Sequence, residues 1–505
     1  MKNKLLTYFL MIALLQIVFA KVLPLFFEKE FFREQALFFL LSVLSIFVLL
    51  ICKFEFKKII TGWNGGGLAA QLLFWSSYLL IIYPGFYTYD SFTTLVTTTR
   101  EVRSFWQASV YSLIAYSLSL INSQLFIIPV LNLLLWLGCL AVIVSNYPIL
   151  SRRSCSLVLF VSFLPLNIIT LPLLMRDTLF GVLSCLLVVL LIPFLRDAKK
   201  IISTHYFLGL LFILTMAAEI RQDGLIYYFS LPILFWVSEN SSLKKKIPLS
   251  LALCGFMVAL NMWTTAKEPN RTTQRHEINT ILHPLNAIFY SSKASISEHD
   301  KEVVSKVIDT IHLETRYHPT QIVQFHDGLD KIPISSGDWT QFKMTYLKLV
   351  SKNFLIFMRE RLAMTGSCFG VFPSAYIFAD DLENPHPNFE TKLSLHDYPK
   401  ALSPFRDLRK LIVQFHNEVV TYRPLVSITL LNPLFFLVIA FLMTRKNRET
   451  ALLFKVSAAL LITRSVVMFF IIPEPHLWYF SPLIYIPVLL IIVSILSPAQ
   501  QKQDL

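Results

Sequence analysis

Apolar runs of about 20 residues recur along this chain, and the short gaps between them alternate between clusters of Lys or Arg and loops without them. A run of that length matches the ~30 Å hydrocarbon core of a bilayer at a rise of about 1.5 Å per residue. The candidate helices are 5–26, 35–52, 67–83, 125–146, 157–175, 178–195, 206–222, 224–238, 247–266, 425–443, 451–472 and 477–496. They number twelve, so both chain ends fall on one side. Alternate loops then carry Lys2/Lys4, Lys53/Lys57/Lys58, Arg152/Arg153, Arg196/Lys199/Lys200, Lys244/Lys245/Lys246 and Arg445/Lys446/Arg448. Every cluster lies on one face, which the enrichment of basic residues in inner loops makes cytoplasmic. One mistaken helix would invert all clusters downstream of it, so the charges check the count. The expected fold class is an all-α polytopic membrane protein with about 12 transmembrane helices.

Composition supports this. Hydrophobic residues make up 55% of the chain and charged residues 15%, against about 25% charged in soluble domains. The net charge of +13 sits in short clusters between apolar runs, so it points to membrane orientation and not to nucleic acid. Of the cysteines, Cys52, Cys139, Cys155, Cys185 and Cys254 fall in or beside apolar segments, and Cys368 falls in the large polar region. That pattern offers neither a disulfide framework nor a CxxC metal site.

The charge pattern divides the chain. Residues 1–266 form an N-terminal membrane helix bundle, whose first helix resembles an uncleaved signal sequence. Within it, 84–124 is one long outer loop. Its segment 109–121 is apolar but short, and a surface-lying or re-entrant helix there preserves the charge pattern. Residues 267–423 form a large extracytoplasmic domain, mainly α or α+β. Its stretch 341–362 reads as one amphipathic helix, packed on its own domain or lying along the membrane with Lys343, Lys348 and Lys352 near lipid phosphates. Residues 424–496 supply the C-terminal membrane helices, and 497–505 a cytoplasmic tail.

Under this topology the ionisable groups that are not mere basic flanks gather at the outer face. They are Asp90 in Tyr83-Pro84-Gly85-Phe86-Tyr87-Thr88-Tyr89-Asp90-Ser91, then Arg176-Asp177, then Glu219, Arg221 and Asp223, then Arg464, His476 and Tyr479. Asp90 follows a Pro-Gly turn, which would hold a carboxylate rigidly at the lipid edge. It reads either as a general base, which must sit within hydrogen-bond reach of the hydroxyl it deprotonates, or as a helix N-cap. Arg176 and Arg221 carry the planar fork that suits phosphoryl oxygens, with ion pairing or snorkelling as the alternative. Glu219 and Arg464 lie inside apolar helices, where a charge needs a partner or a function. His476 and Tyr479 are placed to touch a phosphate or a sugar.

Taken together these pieces resemble the C-type membrane glycosyltransferases, multi-helix enzymes that use polyprenyl-phosphate-linked sugars. YPGFYTYDS with Asp90 is similar to the early outer loop that holds an essential acid in the family. RDTLFG (176–181), RQDG (221–224) and PEPHLWYFSP (473–482) are similar to three further turns of bacterial members. The likeness spans most of 67–496 and has departures. Two helices precede helix 67–83, Trp478 stands where the late turn usually has Arg, and the large domain falls between the ninth and tenth helices. The resemblance implies an inverting sugar transfer at the outer face of a bacterial inner membrane, with both termini cytoplasmic. Asp90 would be the base, and Arg176, Arg221 and Arg464 would stabilise the lipid phosphate as it leaves. The implied partners are a polyprenyl-phosphate sugar donor, a glycan, lipid or protein acceptor, and the bilayer. No cofactor is implied, because no acidic pair of the metal-dependent kind is evident; a divalent metal stays open. Other readings of the same pattern are a secondary transporter or lipid-linked-oligosaccharide flippase, a surface-polysaccharide polymerase or ligase, and a non-enzymatic assembly protein.

Overall fold

The computed structural model describes residues 66–99, 109–147, 149, 151–267, 270–315, 334–369, 399–422, 432–445, 447–472 and 477–497, with scattered positions from Thr7 to Val18. Among these residues the fold is all-α, with one isolated parallel bridge between Phe86 and Leu173. In chain order the helices are α1 (Gly66–Ile81), α2 (Tyr89–Thr99), α3 (Ser109–Ser119), α4 (Ile127–Asn146), α5 (Arg152–Ser162), α6 (Pro165–Thr170) and α7 (Arg176–Leu190). There follow α8 (Ile192–Arg196), α9 (Thr204–Ile220), α10 (Tyr227–Val237), α11 (Ser241–Lys244), α12 (Ile247–Lys267), α13 (Asn270–Tyr290) and α14 (Glu298–Ser305). The last are α15 (Thr310–Thr315), α16 (Ser336–Lys352), α17 (Phe354–Cys368), α18 (Arg406–Tyr422), α19 (Pro433–Thr444), α20 (Arg448–Ile471) and α21 (Ser481–Leu496).

Among the described residues, three stretches are long and apolar enough to cross a membrane: Ile127–Asn146, Arg176–Leu195 and Arg448–Ile471, of 20, 20 and 24 residues. The other expected spans that are described form shorter apolar helices of 10–17 residues. The expected spans 5–26 (but for those scattered positions) and 35–52 lie outside the described residues, as does the tail from 498.

One expected span is broken. The sequence predicts a continuous helix over 157–175, but α5 stops at Ser162, α6 runs only from Pro165 to Thr170, and the chain then leaves the helix. Proline lacks the N–H that continues a helix and is tolerated in its first turn. Pro165 therefore starts a new helix, and Pro172 follows the end of it. Non-helical backbone inside an apolar bundle must find its hydrogen bonds within the protein. Asn132 of α4 supplies two, its Nδ2 donating to Leu171 O and Leu173 O at 3.2 Å each. Phe86 supplies two more: its N–H donates to Pro172 O at 3.2 Å, and its carbonyl accepts from Leu174 N at 3.1 Å.

Helix α7 forms the centre of the bundle. It is apolar and buried nearly all round, as expected for an interior helix, and it packs on α4, α9 and α21. Gly181 permits a close approach to α21: a Cβ there would lie 2.8 Å from the Tyr485 ring and 2.9 Å from Ser481 Cβ.

A second core stands apart from the first. Ile278, Leu285, Ile288, Val304, Ile308, Trp339, Phe342 and Leu349 pack together from α13 to α16. Here too a sequence expectation is corrected. The amphipathic stretch 341–362 is two helices, α16 and α17, broken at Asn353. Asn353 Oδ1 accepts from Ser295 N at 2.7 Å, and its Nδ2 donates to Ser295 O at 3.2 Å and to Leu349 O at 2.9 Å. Those bonds to a neighbouring loop outcompete helix continuation, which Asn supports weakly. Lys343 and Lys348 turn toward the domain, pairing with Glu277 at 3.1 Å and Asp300 at 2.7 Å.

Candidate functional site

The turn that carries Asp90 is fixed from three directions. The Tyr83–Pro84 peptide is cis, and Gly85 has φ +114°, a left-handed conformation that only glycine adopts readily. A Cβ at Gly85 would also lie 2.8 Å from Pro129. Thr88 and Ser91 bond reciprocally: Thr88 N donates to Ser91 Oγ at 3.0 Å, and Ser91 N donates to Thr88 Oγ1 at 3.4 Å. Thr88 therefore caps α2, and the capping role that the sequence allowed Asp90 belongs to Thr88. Asp90 occupies the second position of the helix. Ser91 Oγ then donates to Leu174 O at 2.7 Å, tying the start of α2 to the residues just ahead of Arg176.

A fourth restraint comes from the large polar region. Arg409 of α18 is buried, and its guanidinium donates to Ile82 O at 3.3 Å and to Gly85 O at 3.0 Å. A cation near the carbonyls that end a helix satisfies orphan acceptors and complements the negative end of the helix dipole.

The break after α6 places Arg176 and Asp177 in the first turn of α7, where a carboxylate is favoured by the positive end of the dipole. Asp177 is buried and pairs with Arg221, which is also buried; Arg176 Nε lies 3.6 Å from the other Asp177 oxygen. Arg221 sits over two rings, 5.8 Å from the Phe180 centroid and 5.4 Å from that of Tyr479. Arg464, from the C-terminal half of α20, lies 4.7 Å from the centroid of Phe180 and donates to the Tyr479 carbonyl. Phe180 thus has two guanidinium groups within reach of its ring, each able to contribute cation–π attraction. The backbone at Gly224 closes this junction tightly, since a Cβ there would fall 2.0 Å from Ala218 O.

Arg176, Asp177, Arg221, Arg464 and Tyr479 therefore come together from four parts of the chain. Glu219 lies one turn away and is buried, accepting from the Tyr228 hydroxyl at 2.5 Å. The side chains of Asp90 and Asp223, and all of His476, lie outside the described residues. Arg176 keeps 19% of its side chain exposed, whereas Arg221 keeps 5%. Among the described residues no three His, Cys, Asp or Glu side chains form a group that could hold a metal.

The sequence reading missed three elements of this region. Arg409 sits in a strongly amphipathic helix, where an arginine looks like a surface residue. Phe180 is one of 43 phenylalanines and carries no mark of its own. The third is a buried cluster of His283, Glu360 and Arg361. His283 Nδ1 lies 2.6 Å from Glu360 Oε1, and Arg361 pairs with Glu360 and donates from Nη1 to Ile472 O at 2.7 Å. Burial pushes the Glu360 carboxyl up, but His283 and Arg361 outweigh it and hold it below the ordinary range. The adjacent pair Glu360-Arg361 on the inner face of an amphipathic stretch was the available signal.

Set against protein-family models, curated proteins and solved structures, the chain matches none of them.

Proposed function

We propose that this chain is a polytopic membrane glycosyltransferase, acting at the outer face of a bacterial inner membrane on a polyprenyl-phosphate-linked sugar. The proposal keeps the twelve-span topology with both termini cytoplasmic, and region 267–423 outside, where it recognises a glycan, lipid or protein acceptor. The reading is supported by one observation above the others. Three guanidinium groups, a carboxylate and a tyrosine meet at the ends of apolar helices, beside the backbone turn that carries Asp90. So much positive charge held in an apolar bundle suits an anionic group on a lipid.

In this reading Asp90 takes the proton of the acceptor hydroxyl as it attacks the anomeric carbon. The glycosidic bond to the lipid phosphate breaks with inversion, and the phosphate leaves as an anion. Arg176, the guanidinium with most access to solvent in the cluster, meets that anion through its planar fork. Arg221 and Arg464 add fixed positive potential behind it. Stabilisation of developing charge by one such donor is often worth about 3–4 kcal/mol.

The test is transfer of radiolabelled sugar from a panel of polyprenyl-phosphate sugars in membranes holding equal amounts of each protein. Asp90→Asn should lower turnover about 10²- to 10⁴-fold, the usual contribution of a general base. Transfer at the unsubstituted rate would end the role given to Asp90.

A further inference from the structure

Helix α20 has 24 residues, about 36 Å at 1.5 Å per residue. A hydrocarbon core of ~30 Å covers most of it, with the polar first turn Arg448-Glu449-Thr450 at one edge and the apolar last turn Met468–Ile471 toward the other. Ile462, Val466 and Phe470 recur at four-residue spacing on this helix and are exposed, so they form a stripe that faces out of the bundle. α17 lies against the top of that stripe. Phe357 stacks on Phe470 with ring centroids 6.3 Å apart and planes at 10°, and Arg361 binds the carbonyl of Ile472 at the end of α20.

A helix that covers the outward flank of a spanning helix turns its own far side to the surroundings of the bundle. On α17 that far side is Leu355, 82% exposed, with Leu362, also exposed, about two turns on and Arg359 between them. Across the break at Asn353, Met344 and Leu347 of α16 are exposed as well. Lys352 and Arg359 are exposed too. Lys343 and Lys348, about as exposed, pair with Glu277 and Asp300 of the same domain. Long cationic side chains beside an apolar face keep their stems in apolar surroundings and reach their heads toward the lipid phosphates.

We propose that Met344, Leu347, Leu355 and Leu362 lie in the outer leaflet of the bilayer, with phospholipid as their partner and with Lys352 and Arg359 at headgroup level. The large polar region is then seated in the membrane surface beside the site. The inference rests on the membrane placement proposed above and not on sugar transfer.

The native chain, reconstituted in phosphatidylcholine nanodiscs doped with a phospholipid bearing a diazirine on its acyl chain, provides the test. Illumination followed by peptide mapping should place adducts on Ile462 and Val466 and also on Leu347, Leu355 and Leu362. Ile311, 72% exposed on α15, should carry none. Adducts on the α20 stripe but none on α16 or α17 would overturn this proposal while leaving the membrane placement intact. An unlabelled stripe would overturn both. As a second reading, Leu355→Cys and Ile311→Cys are compared by nitroxide labelling, with the unsubstituted chain as background. Position 355 should be more accessible to oxygen than to a water-soluble nickel chelate, and position 311 the reverse. Equal aqueous accessibility at both positions would refute the seat in lipid.

Discussion

Asp177 joins the cluster through two properties that act together. It stands where the dipole of α7 welcomes a carboxylate, and it faces a buried guanidinium. Removing one member of a buried ion pair strands the other charge away from water, which costs about 3–5 kcal/mol. Asp177→Asn should therefore destabilise the fold by about that amount, seen as a lowered Tm in nanodiscs, with Arg221→Met partly restoring it. A Tm unchanged in Asp177→Asn would mean that Arg221 is held by other partners. This pairing was only half legible in the sequence. Arg176-Asp177 and Arg221 were visible as charges at apolar boundaries, but which of them would meet was not, because 43 residues separate Asp177 from Arg221 and ion pairs carry no sequence spacing. Arg409 was not legible at all. Its partners are two main-chain carbonyls over 320 residues away, and carbonyls are identical at every position.

At the scale of elements, the contact between α7 and α21 depends on Gly181. Tyr485 is fully buried and has nowhere to swing, so an added Cβ must push the helices apart. Overpacking of this kind costs about 1–3 kcal/mol. Gly181→Ala should lower the Tm accordingly, while Gly138→Ala, where a Cβ meets nothing within 4 Å, should not. If the two substitutions behave alike, the crossing is looser than described. In the second core, α14 is tied to α16 through Asp300. Burial pushes this carboxyl up, but hydrogen bonds from Lys348 and Ser297 prevail and hold it at about 2, below the ordinary 3.8. A carboxylate whose pKa is depressed on folding stabilises the fold above its ordinary value and loses that contribution as the pH falls through the folded one. Amide exchange in 298–305 should therefore accelerate as the pH is taken from 3.8 to about 2, after correction for the intrinsic rate. Lys348→Met should flatten that dependence. The breaks in 157–175 and 341–362 also belong to this scale. Pro165 and Pro172 stood in plain view, yet apolarity outweighed them, because an apolar run registers length and not continuity of hydrogen bonding. At Asn353 the deciding partner is the backbone of Ser295, which no local pattern could indicate.

Over the whole molecule, one buried arginine joins the two cores at the end of α20, and a second ties two distant parts of the first core together. Arg361 links Glu360 and His283 to the carbonyl of Ile472, and Arg409 links α18 to the turn after α1. Arg361→Ala removes the counter-charge of a buried carboxylate, a change worth about 3–5 kcal/mol. It should raise amide exchange in both 354–368 and 466–472, the two segments that it joins. A rise confined to one of them would mean that the cores are coupled elsewhere.

Apolar run length determined the all-α and the membrane-compatible character of this protein without any coordinates. Both follow from how a chain partitions between water and lipid, a matter decided residue by residue and summed along a segment. What meets what was decided by tertiary structure alone. The Phe86–Leu173 bridge, the pairing of Asp177 with Arg221, the ring of Phe180 within reach of two arginines and the reach of Arg409 all satisfy buried polar groups over long separations. Such groups take whichever partner the packing brings near, so their choice is a property of the folded molecule and leaves no period in the sequence.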